Sequence, residues 1–386
     1  MKQPVGFEIK GKENLVCRLK RSIYGLKQSA RCWNQRLDSE LHKMGFKQGT
    51  ADPCLYTKIV NGKRIYLLIY VDDLLVGCES EAEIKSVYDS LKKEFEITDL
   101  GDLNYFLGLE ISKCDGKYGI SLQGYIERVA ERFGLRDAKD AETPMDEGFS
   151  KFEDKSQQLE NNTEYRSLVG ALLYVTVCAR PDIAVSASIL GRCVSAPTEA
   201  SWIAAKRVAR YLKATKHWKL QYSETNGDLV GYSDADWAGD LKTRKSTSGH
   251  VFLFSGSAIS WASRLQNCVT ISSMESEYVA LSEASQEVVW LRNLLEDLGE
   301  RQTKPVTLLE DNQSCIQFVT SDRTTRRSKH IETRECFIKE LCAKKVLRLL
   351  YCSSEEMLAD ILTKPLGPIK IRKFSTMLGL YSGGSR

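Results

Sequence analysis

Residues 64–78 read RIYLLIYVDDLLVGC. Two apolar runs flank Asp72 and Asp73, the pattern of a β-hairpin with acids at its turn. Adjacent strand residues point to opposite faces, so one of the two acids belongs to the turn. A plain turn accounts for such a pair. A metal-binding hairpin for nucleotidyl transfer also accounts for it, and needs a third carboxylate on a neighbouring strand. Working outward, residues 30–44 carry Trp33, Leu37, Leu41 and Met44 at helical spacing, and residues 81–95 carry Ile84, Val87, Tyr88 and Leu91. A strand-like stretch at 105–112 and a helical one at 124–133 follow.

Residues 137–163 turn to Asp, Glu, Lys, Ser, Gln and Asn, the composition of a linker. Residues 165–215 read as helices broken at Arg180-Pro181-Asp182 and at Pro197. The last of these helices has an apolar stripe of Trp202, Ala205, Val208 and Leu212. Beside it runs a basic stripe of Lys206, Arg210, Lys213 and His217. That basic stripe is either a solvated face or a rail for phosphates. Residues 229–233, 250–254 and 258–262 then read as three short strands in a meander. A long helix over 273–298 follows, ended by Gly299. A strand at 306–309, a short helix from 313, a helix at 331–343 and a strand at 346–351 come next. A last helix at 354–363 is stopped by Pro365. Three antiparallel strands followed by alternating helices and strands describe an α/β domain with a mixed sheet, within a chain of α+β class overall.

The chain's 386 residues, 42% hydrophobic and 27% charged, suit two or three domains with real cores rather than a disordered chain. The longest apolar stretch, residues 168–179, is too short to cross a bilayer, and the start carries no apolar signal core. Twelve cysteines are scattered without a CxxC, which reads as free thiols in a reducing compartment. A net charge of +4 decides nothing about a nucleic-acid partner, because what matters is where the charges sit.

Acids at element ends carry more. Asp234 ends the first strand of the meander, Glu275 lies in the first turn of the long helix, Asp311 ends the fourth strand, and Asp360 lies in the last helix. Clustered carboxylates repel one another unless cations neutralise them, and oxygen ligands select Mg²⁺ or Mn²⁺. Each acid also has a purely structural use. Ser272 and Glu275 fit a capping box, Asp311 can cap the helix after it, and Asp236 suits a turn. Four acids in this element order are not explained by caps alone.

Several blocks together resemble the copia-type retrotransposon Pol family. They are Tyr70-Val71-Asp72-Asp73, residues 21–31 (RSIYGLKQSAR), Thr98-Asp99-Leu100-Gly101 with Tyr105-Phe106-Leu107-Gly108, and Arg180-Pro181-Asp182-Ile183. Residues 232–239 (YSDADWAG), 244–249 (RKSTSG), 311–314 (DNQS) and 359–366 (ADILTKPL) complete the set, and the resemblance runs from Gln3 to about Leu366. It implies partial polymerase fingers and palm at 1–112, a thumb at 113–140 and a linker at 141–163. A helical connection at 164–225, a ribonuclease H-like mixed-sheet domain at 226–366 and a C-terminal tail at 367–386 would follow.

The same resemblance implies roles. Asp72 and Asp73 would hold Mg²⁺ at a primer terminus, and Gly25 and Gln28 would approach the incoming nucleotide and template. Lys206, Arg210 and Lys213 would track a duplex. Asp234, Glu275, Asp311 and Asp360 would hold two Mg²⁺ or Mn²⁺ ions for cleavage of the RNA strand of an RNA–DNA hybrid. Polymerases of this kind carry a further metal-binding Asp upstream of the Gln3-Pro4-Val5-Gly6-Phe7 block. The resemblance therefore makes the polymerase half an incomplete piece, and the ribonuclease H half complete. Leu309-Glu310 also departs from the family, which commonly has a shorter Cys-type residue before the Asp. The implied partners are hybrid, template RNA and primer, deoxynucleotides for a completed polymerase, and other Pol segments such as an upstream integrase. The implied location is intracellular: cytoplasmic in a virus-like particle, or nuclear. The competing expectation is a non-catalytic nucleic-acid-binding remnant or host-adopted module, which would bind hybrid with steep salt dependence and not cut it.

Overall fold

The computed structural model describes residues 1–149, 154–223, 227–321 and 329–382. The chain divides into two compact units, one of residues 1–99 with 293–301, the other of residues 100–292 with 302–386.

In the first unit, β1 (Lys47–Gln48), β2 (Leu55–Val60), β3 (Lys63–Tyr70) and β4 (Asp73–Gly77) form an antiparallel sheet in that order. Strand β3 alternates, so Ile65, Leu67 and Ile69 all point to one face. There they pack with Leu37 and Leu41 of α1 (Ser29–Lys43) and with Val87 and Leu91 of α2 (Glu81–Lys92). The hairpin expected at 64–78 forms, and Tyr70 pairs with Asp73 across its two-residue turn.

The second unit holds two five-stranded sheets. One is antiparallel in the order β14-β8-β7-β6-β5, built from β5 (Tyr105–Phe106), β6 (Leu109–Cys114), β7 (Lys117–Ser121), β8 (Trp218–Tyr222) and β14 (Leu380–Ser382). Between β7 and β8 the chain forms α3 (Gln123–Arg132), α4 (Thr163–Cys178), α5 (Ala184–Arg192) and α6 (Glu199–Ala214). The segment expected as a thumb thus begins as a β-hairpin. The segment expected as a tail is structural: α11 (Pro368–Met377) buries Ile371 and Phe374, and β14 pairs with β8. Part of the expected linker, residues 150–153, lies outside the described residues, while Ala141, Thr143 and Met145 of the same segment are buried.

The other sheet has the order β11-β10-β9-β12-β13. Strands β9 (Val230–Asp236), β10 (Thr247–Phe254) and β11 (Ser257–Leu265) are antiparallel. Strand β12 (Val306–Glu310) runs parallel to β9, and β13 (Leu347–Tyr351) parallel to β12. Helix α7 (Ser273–Leu298) supplies the buried stripe Leu281, Ala284, Val288 and Leu291. Helices α8 (Gln313–Thr320), α9 (Lys329–Ala343) and α10 (Asp360–Thr363) complete the domain. The last helix is much shorter than the expected 354–363, because residues 354–359 form turns. The mixed sheet foreseen from the element order is present, and with the antiparallel sheets it makes the chain α+β.

Candidate active site

Parallel pairing of β9 with β12 sets Leu309 level with Tyr232. Asp234 and Asp311 each lie two residues beyond that pair, so two acids emerge side by side at the same end of adjacent strands. A carboxylate oxygen from each, with one from Glu277 in the first turns of α7, falls within 4.8 Å of the others. Asp234 is only 3% exposed and Glu277 only 6%.

Neighbours fix these carboxylates. The Thr363 hydroxyl donates to Asp234 Oδ2, and Ser354 Oγ donates to Asp311 Oδ2 at 2.7 Å. Gly249 pairs with Asp234 across β9 and β10. A Cβ at that position would lie 2.7 Å from Thr363 Cγ2 and 2.9 Å from Leu362 Cβ, so the missing side chain lets α10 close on the site. Lys364 Nζ lies 2.7 Å from Asp360 Oδ1 and 4.0 Å from Asp234 Oδ2.

Burial dominates the electrostatics, since it penalises the ionised form. It pushes the Asp234 carboxyl up to about 7, with Lys364 opposing and Asp360 adding to the shift. Burial, then the Asp234 charge, also raises Glu277 and Glu310 well above the ordinary carboxylate range. Burial alone would lower the Lys364 ammonium, but the Asp234 and Asp360 carboxylates overcome it and hold the side chain charged. Converging buried carboxylates, with Glu277 Oε2 left without a hydrogen-bond partner, are a donor set suited to a hard divalent cation.

The hairpin of the first unit differs. Asp72 and Asp73 are exposed, and Val71 at its turn has φ +54°. A β-branched residue is rarely found there, and Trp33 Nε1 donating to Val71 O at 2.8 Å helps hold it. Tyr24 OH donates to Asp72 Oδ2 at 2.7 Å, and that carboxylate pushes the phenol up. Among the described residues, no third acid joins Asp72 and Asp73 within ligating reach. Gly25, at φ +88°, and Gln28 lie on the exposed segment beside Tyr24.

Comparison with known proteins fits these features. A family described as "Reverse transcriptase (RNA-dependent DNA polymerase)" matches residues 1–147. The retrovirus-related Pol polyprotein from transposon TNT 1-94 of Nicotiana tabacum is 38% identical over 99% of this chain and 29% of its own length. The putative transposon Ty5-1 protein YCL074W of Saccharomyces cerevisiae is 34% identical over 75% of this chain and 94% of its own length. The chain belongs to the copia-type retrotransposon Pol family. It spans 29% of the TNT 1-94 polyprotein and 26% of the RE1 polyprotein of Arabidopsis thaliana. Among solved structures, the foamy viral protease-reverse transcriptase in complex with dsDNA is similar over 86% of this Pol segment and 60% of its own chain, at TM-score 0.47 and 12% identity. An RNase H1 isolated from compost covers 38% of the segment and 96% of its own chain, at TM-score 0.29 and 17% identity. Both scores are low, so the reading of the mixed sheet rests on its own strand order.

Within this Pol segment two expectations need correction. Glu275 does not join the acid cluster. Its Oε2 accepts from Ile271 N at 2.8 Å and its own N–H donates to Ser272 Oγ at 3.2 Å, so it caps α7. Glu277, two residues on and about 200° around the helix, takes the place in the cluster. It continues the stripe of Leu281, Ala284 and Val288 backwards at helical spacing, the signal that could have found it.

The second correction concerns the basic stripe of α6. Lys213 Nζ donates to Arg136 O and Ala138 O and pairs with Asp140 at 2.9 Å. Lys206 Nζ sits 4.5 Å from the Trp202 ring centroid, and Arg210 is half-buried. Fold contacts hold Lys206 and Lys213, which does not suit a free phosphate rail. Sequence reading also gave no role to Glu310, a fully buried acid whose Oε1 accepts from Asn312 N at 3.2 Å. Asp311 does not cap α8; Asn312 does, accepting from Cys315 N at 2.9 Å.

Proposed function

We propose that the second unit hydrolyses the RNA strand of RNA–DNA hybrids, and the convergence of Asp234, Glu277 and Asp311 carries the reading. Mg²⁺ or Mn²⁺, when bound there, would neutralise the clustered carboxylates, favour attack by water on the phosphodiester and stabilise the leaving oxygen. Asp234 and Glu277 offer ligand oxygens from inside the fold, and Asp311 offers one from the half-exposed rim. Thr363 and Ser354 hold Asp234 and Asp311 in fixed orientations. A second ion would draw on Asp234 and Asp360. Cleavage at this site would leave a 3′-OH and a 5′-phosphate. The 2′-OH and helical form of a hybrid distinguish it from a DNA duplex.

The purified chain is expected to cut the RNA of a labelled hybrid in Mg²⁺ and not in EDTA, while leaving a DNA duplex intact. Asp234 must be ionised to hold a cation, and its value of about 7 lies far above an ordinary Asp. Cation affinity and cleavage should therefore rise as pH increases through about 7. The linkage to stability has the opposite sign. A carboxyl raised in the folded state stabilises below its unfolded value near 4, and this contribution is lost as pH rises through about 7. Mg²⁺ should thus raise the melting temperature more at pH 8 than at pH 5.5. Hybrid binding without Mg²⁺-dependent cleavage would support a non-catalytic binding module instead.

The hairpin supports a polymerase lineage rather than a working polymerase in this chain. With two exposed acids and no third in reach among the described residues, no primer extension by the chain alone is expected. Extension of a labelled primer on an RNA template above a no-enzyme control would refute that expectation.

A further inference from the structure

The four acids first singled out are not equivalent. Asp234 belongs to the cluster with Glu277 and Asp311, whereas Asp360, equally buried, is already engaged by two ammonium groups. Lys364 Nζ lies 2.7 Å from Asp360 Oδ1 and 4.0 Å from Asp234 Oδ2, and Lys370 Nζ lies 3.6 Å from Asp360 Oδ2. Of these two lysines Lys364 alone reaches both carboxylates, so its ammonium stands where an ion shared by Asp234 and Asp360 would sit. We propose that Lys364 is a built-in cation that holds the second metal position, making the resting site a one-ion site whose second ion enters only when Lys364 withdraws. This rests on the reading of the acid cluster as a metal site.

Local structure presets the lysine. Pro365 follows it, and a residue before proline is driven into extended conformation. Lys364 adopts φ −145°, ψ 151°, while its N–H still bonds Asp360 O at 3.2 Å. The backbone therefore launches the side chain from one fixed point, four residues after the acid it pairs with. Asp360 itself is 2% exposed, so its carboxylate has no open route to water. The lysine side chain is 38% exposed, so it has a route to solvent that the carboxylates lack. A single positive charge reduces the repulsion between Asp234 and Asp360, but an ammonium donates hydrogen bonds and leaves no coordination positions for water or phosphate. Lys370 is not an alternative occupant, since it is shared with Glu355 at 3.7 Å on the outer side of Asp360.

Titration of the metal-free chain with Mn²⁺, followed by calorimetry and by the spin-resonance signal of free Mn²⁺, tests the idea without any substrate. The parent chain should bind one ion, and Lys364→Ala two, the second tightened about tenfold or more by removal of the competing charge. Lys364→Gln, which keeps most of the volume, should behave like Lys364→Ala and guards against a folding defect. Lys364→Arg should stay at one ion, as should Lys370→Ala. Two ions in the parent, or one in both neutral variants, would overturn the role of Lys364 and leave the metal site standing. No ion in the parent or in any variant would overturn the metal-site reading, and this inference with it.

Discussion

Asp234→Asn is expected to lower Mg²⁺-dependent cleavage of hybrid RNA by about a thousandfold or more, because cation-assisted charge stabilisation contributes several kcal/mol. The substitution keeps the shape of the side chain, and an amide oxygen can still accept from Thr363. It also removes a buried charge that burial disfavours, so in EDTA at pH 8 the variant should melt no lower than the parent. Loss of activity with retained stability separates a chemical role from a structural one. Glu277→Gln should match it, whereas Glu275→Gln should cut within a few-fold of the parent and lose only about 1 kcal/mol of helix capping. Loss of cleavage in Glu275→Gln with retention in Glu277→Gln would reverse the geometric assignment. Gel assays on all three, with thermal melts in parallel, decide between them.

The contrast between Glu275 and Glu277 shows what the sequence could and could not deliver. Local pattern sufficed for the hairpin around Asp72 and Asp73, where alternation and turn residues agree within fifteen positions. It also sufficed for the strands of the last sheet as they follow along the chain, since each carries its own apolar run, while their side-by-side order came from the structure. It failed where two residues of one type compete within a helical turn. Ser272 with Glu275 is a good capping pair, and only the phase set by Leu281, Ala284 and Val288 shows that Glu277 faces inward. It failed again where partners lie far apart in the chain. Lys213 meets carbonyls some 75 residues away, and β14 pairs with β8 across more than 150 residues. Residues 380–382 have no strand signal of their own; the exposed edge of β8 gives them one.

Arg180→Met should be among the most destabilising single changes in the chain. Arg180 is 1% exposed and Asp182 is 0%, and they form a two-pronged pair, Nε to Oδ1 at 2.9 Å and Nη2 to Oδ2 at 2.7 Å. Tyr211 OH donates to the same carboxylate at 2.7 Å. Arg180 also donates to Thr215 O and Thr215 Oγ1 at the end of α6, and lies over the Tyr211 and Trp218 rings at 5.5 and 5.4 Å. This cluster joins the end of α4, the turn at Pro181 and the C-terminal end of α6 to β8. Methionine fills much of the space but leaves Asp182 buried with no counter-charge, which costs about 3–5 kcal/mol where total stability is about 5–15. Urea denaturation should show that loss in a lower midpoint with little change in slope. Arg180→Met with Asp182→Leu should recover most of it, because replacing both partners by apolar groups leaves no orphaned charge. A loss under about 1 kcal/mol would mean that water reaches Asp182 and that the pair does not anchor this junction.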